Sequence, residues 1–180
     1  MTGSRRLSQR ISEGDGIAII ARVDDAEGAR DAEDAGAKAV AVVQPIEGIR
    51  EATSLPVLWL GDGVPDAVDA VAIRPEQEPE GHPQLEEVVD VRDEDELERA
   101  LELHDPEIFL LSAAEADGDA DPLDAVLELL PDIPAGKLAI ARVEVTSRDE
   151  VLALERAGID AVLVGGGRVR ELVGHRPVDV

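Results

Sequence analysis

Eight short apolar runs, each parted from the next by a polar or amphipathic stretch, constrain this chain more than any other feature. They are Ile17–Val23, Lys38–Val43, Pro56–Leu60, Val68–Ile73, Glu87–Val91, Glu107–Leu111, Lys137–Val143 and Asp160–Val164. Each is nearly continuous in Val, Ile, Leu and Ala rather than alternating with polar residues, the pattern of a strand covered on both faces and hence of a parallel sheet. Between them lie helix signals. Asp24/Asp25 opens a helix to Ala35 and Gly36 ends it, and Pro45–Thr53 makes a short helical turn. Asp121-Pro122 opens a helix to Leu130, with Asp as cap and Pro at the first helical position. Ser147-Arg148-Asp149-Glu150 is a capping box for a helix ending at Gly158.

Eight strand-plus-crossover units argue for a closed parallel (β/α)8 TIM barrel rather than an open sheet. At 180 residues it is a compact one, since such barrels typically need about 250 residues. The economy falls after strands three and four. Gly61–Asp66 and Pro75–Gln84 are too rich in Pro, Gly and Asp for full helices. The expected division is an N-terminal helical segment, 1–16, and a single barrel domain, 17–180. Trp59, outward-pointing on strand three by alternation with Leu60, then lies on a thinly covered face. That face is either a site of self-association or protein contact, or is covered by the chain's own loops.

Composition narrows the partners. Trp59 and Phe109 are the only aromatic residues, so base stacking lacks its raw material. A net charge of -24 repels phosphate backbones, and no nucleic-acid partner is expected. Lys38 and Lys137 are the only lysines among 17 basic residues, against 41 Asp and Glu. Dense carboxylates with few lysines suit a cytosol at high salt, as in a halophile; a GC-rich genome writes the same residues. The absence of cysteine excludes disulfides and thiolate chemistry. No apolar run reaches the roughly 18 residues of a membrane span, and 1–16 has no apolar signal core, so a cytoplasmic location is expected.

Several segments together resemble the indole-3-glycerol phosphate synthase family. Arg5-Arg6-Leu7-Ser8-Gln9-Arg10-Ile11 with Ile19-Ile20-Ala21 looks like its leading helix and first strand, and Ser54-Leu55-Pro56-Val57-Leu58 like its third strand. Val89-Asp90-Val91-Arg92-Asp93-Glu94 is similar to its fifth strand. Asp121-Pro122-Leu123 through Pro131-Asp132-Ile133-Pro134 is similar to its sixth helix and turn. Ala157 through Gly165 is similar to its eighth strand, and the likeness is strongest from about Asp90 onward.

The resemblance implies a carboxy-lyase of tryptophan biosynthesis, needing no cofactor, with a lysine general acid, assisting glutamates and a phosphate held after strands seven and eight. This chain departs from that pattern. The first-strand glutamate and lysine positions carry Arg22 and Asp24, and the general-acid lysine position carries Leu60, which has no proton to give. Asp90 keeps an acid at the fifth-strand glutamate position and is the one catalytic candidate. Ser112 takes an asparagine position and Arg142 the seventh-strand glutamate, with Val143-Glu144-Val145 replacing the Ser-Gly-Ile phosphate loop. The family's long loop after the first strand is missing too. Lys38 and Lys137, at strand beginnings, are at the other end of the barrel.

Arg22, Asp24, Asp90, Ser112, Arg142 and Glu144 are therefore expected at the C-terminal mouth, either as a ligand site for an anion or as a salt-bridged plug. Gly165-Gly166-Gly167 reads as a phosphate-binding turn or simply a tight turn. No metal site is expected. His82, His104 and His175 are scattered and read as solvent-exposed, Glu76–Glu80 and Asp93–Glu98 as solvated faces. Asp117-Gly118-Asp119-Ala120-Asp121 resembles a calcium loop but lacks a closing glutamate, and reads as a plain loop. Three functions stand: a non-synthase, anion-binding or assembly subunit; an enzyme using the Arg/Asp mouth on a phosphorylated or carboxylated metabolite; and the synthase itself.

Overall fold

The computed structural model describes residues 5–14, 16–77, 84–112 and 121–173. Eight parallel strands close into a barrel in sequence order, β1 next to β8. They are β1 (Ala18–Arg22), β2 (Ala39–Val42), β3 (Val57–Trp59), β4 (Ala70–Ile73), β5 (Glu86–Val91), β6 (Ile108–Ser112), β7 (Leu138–Arg142) and β8 (Ala161–Gly165). The helices are α1 (Arg6–Ser12), α2 (Ala26–Ala35), α3 (Ile49–Ala52), α4 (Glu94–Leu103), α5 (Pro122–Leu129), α6 (Arg148–Ala157) and α7 (Val169–Val173). No helix among the described residues is long and apolar enough to cross a membrane.

Strand alternation sorts the apolar residues into two shells. Ile20, Ala41, Leu58, Val88, Leu110, Ile140 and Leu163 fill the barrel interior. Ile19, Val40, Trp59, Val89, Phe109 and Val162 face the helices. The helix ends follow local chemistry. Asp25 accepts a hydrogen bond from the Gly28 amide at 2.6 Å and so is the cap of α2, while Ser147 caps α6. Gly36 and Gly158 close α2 and α6 with φ of 104° and 105°, left-handed backbone that glycine enters without a Cβ penalty.

Helix α1 closes the N-terminal end of the barrel. Leu7 and Ile11, one turn apart, join the interior shell. Its opening amides lack a local side-chain cap, and Glu86 of β5 supplies one, accepting from Leu7 N at 2.6 Å and from Ser8 N. Arg6 reaches Asp69 at 2.9 Å; the same buried carboxylate accepts from Arg50 at 2.9 Å and from Val57 N at 2.8 Å.

Where helices were expected to be reduced, none forms in the described residues between β3 and β4 or between β4 and β5. Trp59 does point outward, yet it is only 3% exposed. The 61–63 turn folds back over it, with the indole Nε1 donating to Gly63 O at 2.5 Å. Of the two readings of this face, cover by the chain's own loop is the one seen at Trp59. Of the histidines, His104 is not free in solvent: it is half-buried with Nε2 bonded to Pro75 O at 2.8 Å. His82, His175 and residues 117–120 lie outside the described residues; Asp121 caps α5 through Leu123 N.

Candidate functional site at the barrel mouth

The strands deliver their last inward-facing residues to the C-terminal rim, where the loops of such barrels build their sites. Continuing the alternation of Ala18 and Ile20 puts Arg22 there from β1; Leu138 and Ile140 lead likewise to Arg142 on β7. Val88 leads to Asp90 and Leu110 to Ser112. Leu60, just past β3, packs against the interior shell, so an apolar side chain fills the position to which the resemblance assigns a general acid.

The rim has two unlike halves. Over β4 to β6 the polar groups are tied together. Ser112 Oγ donates to Asp90 Oδ1 at 2.7 Å, and Arg74 Nη1 lies 3.7 Å from Asp90 Oδ2. Arg74 also donates to Glu96 of α4, which accepts from Arg92 N at 2.8 Å. Glu96 is thus buried, a correction to the reading of 93–98 as a solvated face; a carboxylate tolerates that only with charged donors around it.

Over β7, β8 and β1 the charges stand apart. Arg22, Asp24, Arg142 and Glu144 are all exposed, and among the described residues none of the four is in an ion pair. Among the described residues no ion pair ties Arg22 or Arg142 to Asp24 or Glu144. Arg22 is in register with Gly165, and the β7–β8 ladder runs to Ala141↔Val162 just before Arg142, so the two arginines lie on the strands either side of β8, staggered along it. They are two strand spacings apart, roughly 10 Å.

Between them runs the glycine turn. None of Gly165, Gly166 and Gly167 has positive φ, so backbone conformation does not call for glycine. Gly166 has a packing reason: a Cβ there would stand 2.8 Å from Arg22 O. Gly165 and Gly167 have none, with open space where their Cβ atoms would be. The adjoining loop after β7 is held by Arg168, which donates to Val145 O at 3.0 Å and Thr146 O at 2.9 Å. Glu150 also braces it, and its pKa is lowered, chiefly by the Thr146 amide it accepts from. A separate cleft of about 520 Å³, lined by Arg5, Ser8, Gln9 and Lys137 among others, lies at the opposite end beside α1.

Two features escape a reading by composition. Arg74 precedes a proline and an acidic run, and so looks like loop; the inward series Ala70, Ala72, Arg74 reveals it. The second is an internal repeat. Ile20-Ala21-Arg22-Val23-Asp24 recurs as Ile140-Ala141-Arg142-Val143-Glu144. Each copy leads through a capped ten-residue helix and a left-handed glycine into the next strand. The flanking arginines occupy equivalent positions of that repeat.

No family model matches the chain. Among curated proteins it is similar to the indole-3-glycerol phosphate synthase of Variovorax paradoxus (strain S110), 36% identical over 83 residues, 46% of this chain and 31% of that protein. The enzyme of Acidithiobacillus ferrooxidans (strain ATCC 53993 / BNL-5-31) is 35% identical over 83 residues, 46% and 31% of the two chains. That of Laribacter hongkongensis (strain HLHK9) is 36% identical over 85 residues, 47% and 32%. The matched stretch spans about a third of the length of these relatives.

Proposed function

We propose that this chain is a divergent barrel of the indole-3-glycerol phosphate synthase type that binds a small phosphorylated or carboxylated anion at its C-terminal mouth and does not close the indole ring. The observation that carries this reading is the pair Arg22 and Arg142, exposed and without ion pairs among the described residues, on either side of a glycine turn with room above it. Two guanidinium forks beside an unobstructed turn suit an oxyanion. Loss of ring closure follows from Leu60, which cannot donate a proton at the position the resemblance assigns to the general acid. Inorganic phosphate in concentrated KCl should raise the melting temperature of the wild-type chain and not that of Arg142→Ala. An equal shift in both would remove the proposal. The strong acidity we read as adaptation to concentrated salt.

The sequence similarity itself favours a second reading, the synthase activity of the named relatives. Formation of indole-3-glycerol phosphate from a ribulose-phosphate precursor would establish it and show that another group replaces the missing acid. Retention of the precursor unchanged supports the binding role.

A further inference from the structure

We propose that Glu96 determines which anions the mouth selects by tying up Arg74 on the β5 side of the rim, so that the site offers a ligand two arginines instead of three; this rests on the reading of the mouth as an anion site. Arg74 ends the inward series of β4, as Arg22 and Arg142 end those of β1 and β7. Its guanidinium is tied on the β5 side of the rim. Nη2 bonds Glu96 Oε1, while Nη1 bonds Asp90 O at 3.4 Å and approaches Asp90 Oδ2 at 3.7 Å.

Glu96 is the stronger tie. Its side chain is 12% exposed, against 16% for Asp90, and its contact with Arg74 is much the shorter. Leaving Glu96 for a ligand would strip a buried carboxylate of its best-placed cation, since Arg92 Nη2 lies farther off at 3.3 Å. Arg74 and Arg92 with Asp90 and Glu96 form a charge-balanced group, two cations to two carboxylates. Among the described residues Arg22 and Arg142 are in no ion pair. A mouth with two available guanidiniums suits a singly charged or monophosphate anion; a third would favour more highly charged ones.

The test is Glu96→Gln in the full chain, titrated with inorganic phosphate and separately with acetate in concentrated KCl. Glutamine keeps an acceptor for Arg92 N, so α4 stays anchored, but it no longer holds Arg74 by charge. Phosphate should bind about fivefold more tightly, with a smaller change for acetate. Adding Arg74→Met should restore the wild-type value. Glu98→Gln makes the same change of net charge at an exposed position of α4 and should leave both affinities unaltered. A merely structural Glu96 would weaken binding when replaced. Unchanged or weaker phosphate binding in folded Glu96→Gln, or a gain that persists without Arg74, overturns the proposal. If Arg22→Ala and Arg142→Ala bind phosphate as wild type does, the anion-site reading fails first and takes this inference with it. If those two lose affinity and Glu96→Gln does not gain, only the role of Glu96 fails.

Discussion

Arg22 of β1 stands in register with Gly165 of β8, and its carbonyl oxygen lies 2.8 Å from where a Cβ on Gly166 would sit. The three glycines of this turn therefore differ in kind. Gly166→Ala must push β8's turn off β1 and should cost about 1–3 kcal/mol in urea denaturation. Gly165→Ala and Gly167→Ala meet open space at ordinary φ and should change stability by less than about 0.5 kcal/mol. They should nonetheless weaken phosphate binding, because the methyl occupies the space above the amides. Three alanine variants of equal stability and equal affinity would contradict this account of the turn.

A similar close approach holds Trp59. A Cβ on Gly61 would lie 2.4 Å from Val43 O and 2.8 Å from the indole ring. Gly61→Ala should therefore destabilise the fold by about 2 kcal/mol and expose the indole, moving Trp59 fluorescence to the red. Trp59→Ala should cost about 3–5 kcal/mol as a core truncation. Wild-type stability in either variant would return Trp59 to the surface.

Two carboxylates give opposite pH signatures. Burial raises the pKa of Asp160, opposed by its bond from Ala139 N. Its charge thus costs stability above the folded pKa, and the cost fades as pH falls through that value. Asp160→Asn, still able to accept from Ala139 N, should be at least as stable as wild type at neutral pH, with the difference shrinking in acid. Glu33 is held below the usual carboxylate range by the hydroxyls of Ser54 and Thr53. Its contribution is present above the unfolded pKa and lost as pH falls through the folded one, so Glu33→Gln should be less stable than wild type at neutral pH and converge with it in acid. Stability curves of parallel pH dependence in all three chains would contradict both assignments.

With 41 acidic against 17 basic residues, self-repulsion outweighs the nine ion pairs found among the described residues. Screening should help more than it harms. The thermal midpoint should climb steadily from dilute to molar KCl; a flat or falling midpoint would refute the high-salt reading.

The barrel was legible because buried parallel strands advertise themselves as unbroken apolar runs, and Gly36, Gly158, Asp25 and Ser147 mark helix ends by local chemistry alone. Period-two alternation assigns Arg22, Asp90, Ser112 and Arg142 to inward positions of their strands, and the Ser112–Asp90 bond joins two of them. What escaped depends on partners far apart in sequence. Glu96 sits in an acidic run that looks solvated, and only Arg74, 22 residues earlier, makes its burial tolerable. Trp59 looked bare because no helix follows β3, whereas a three-residue turn suffices to cover it. Whether Arg22 and Arg142 pair with Asp24 and Glu144 is a matter of side-chain geometry, which alternation does not determine.

Calorimetric titration of inorganic phosphate in concentrated KCl tests the mouth most directly, with wild type, Arg22→Ala, Arg142→Ala and the double variant side by side. Equivalent arginines flanking one anion should each cost about tenfold in affinity, with the double variant showing no measurable binding. Equal affinities in all four folded chains would contradict the central claim.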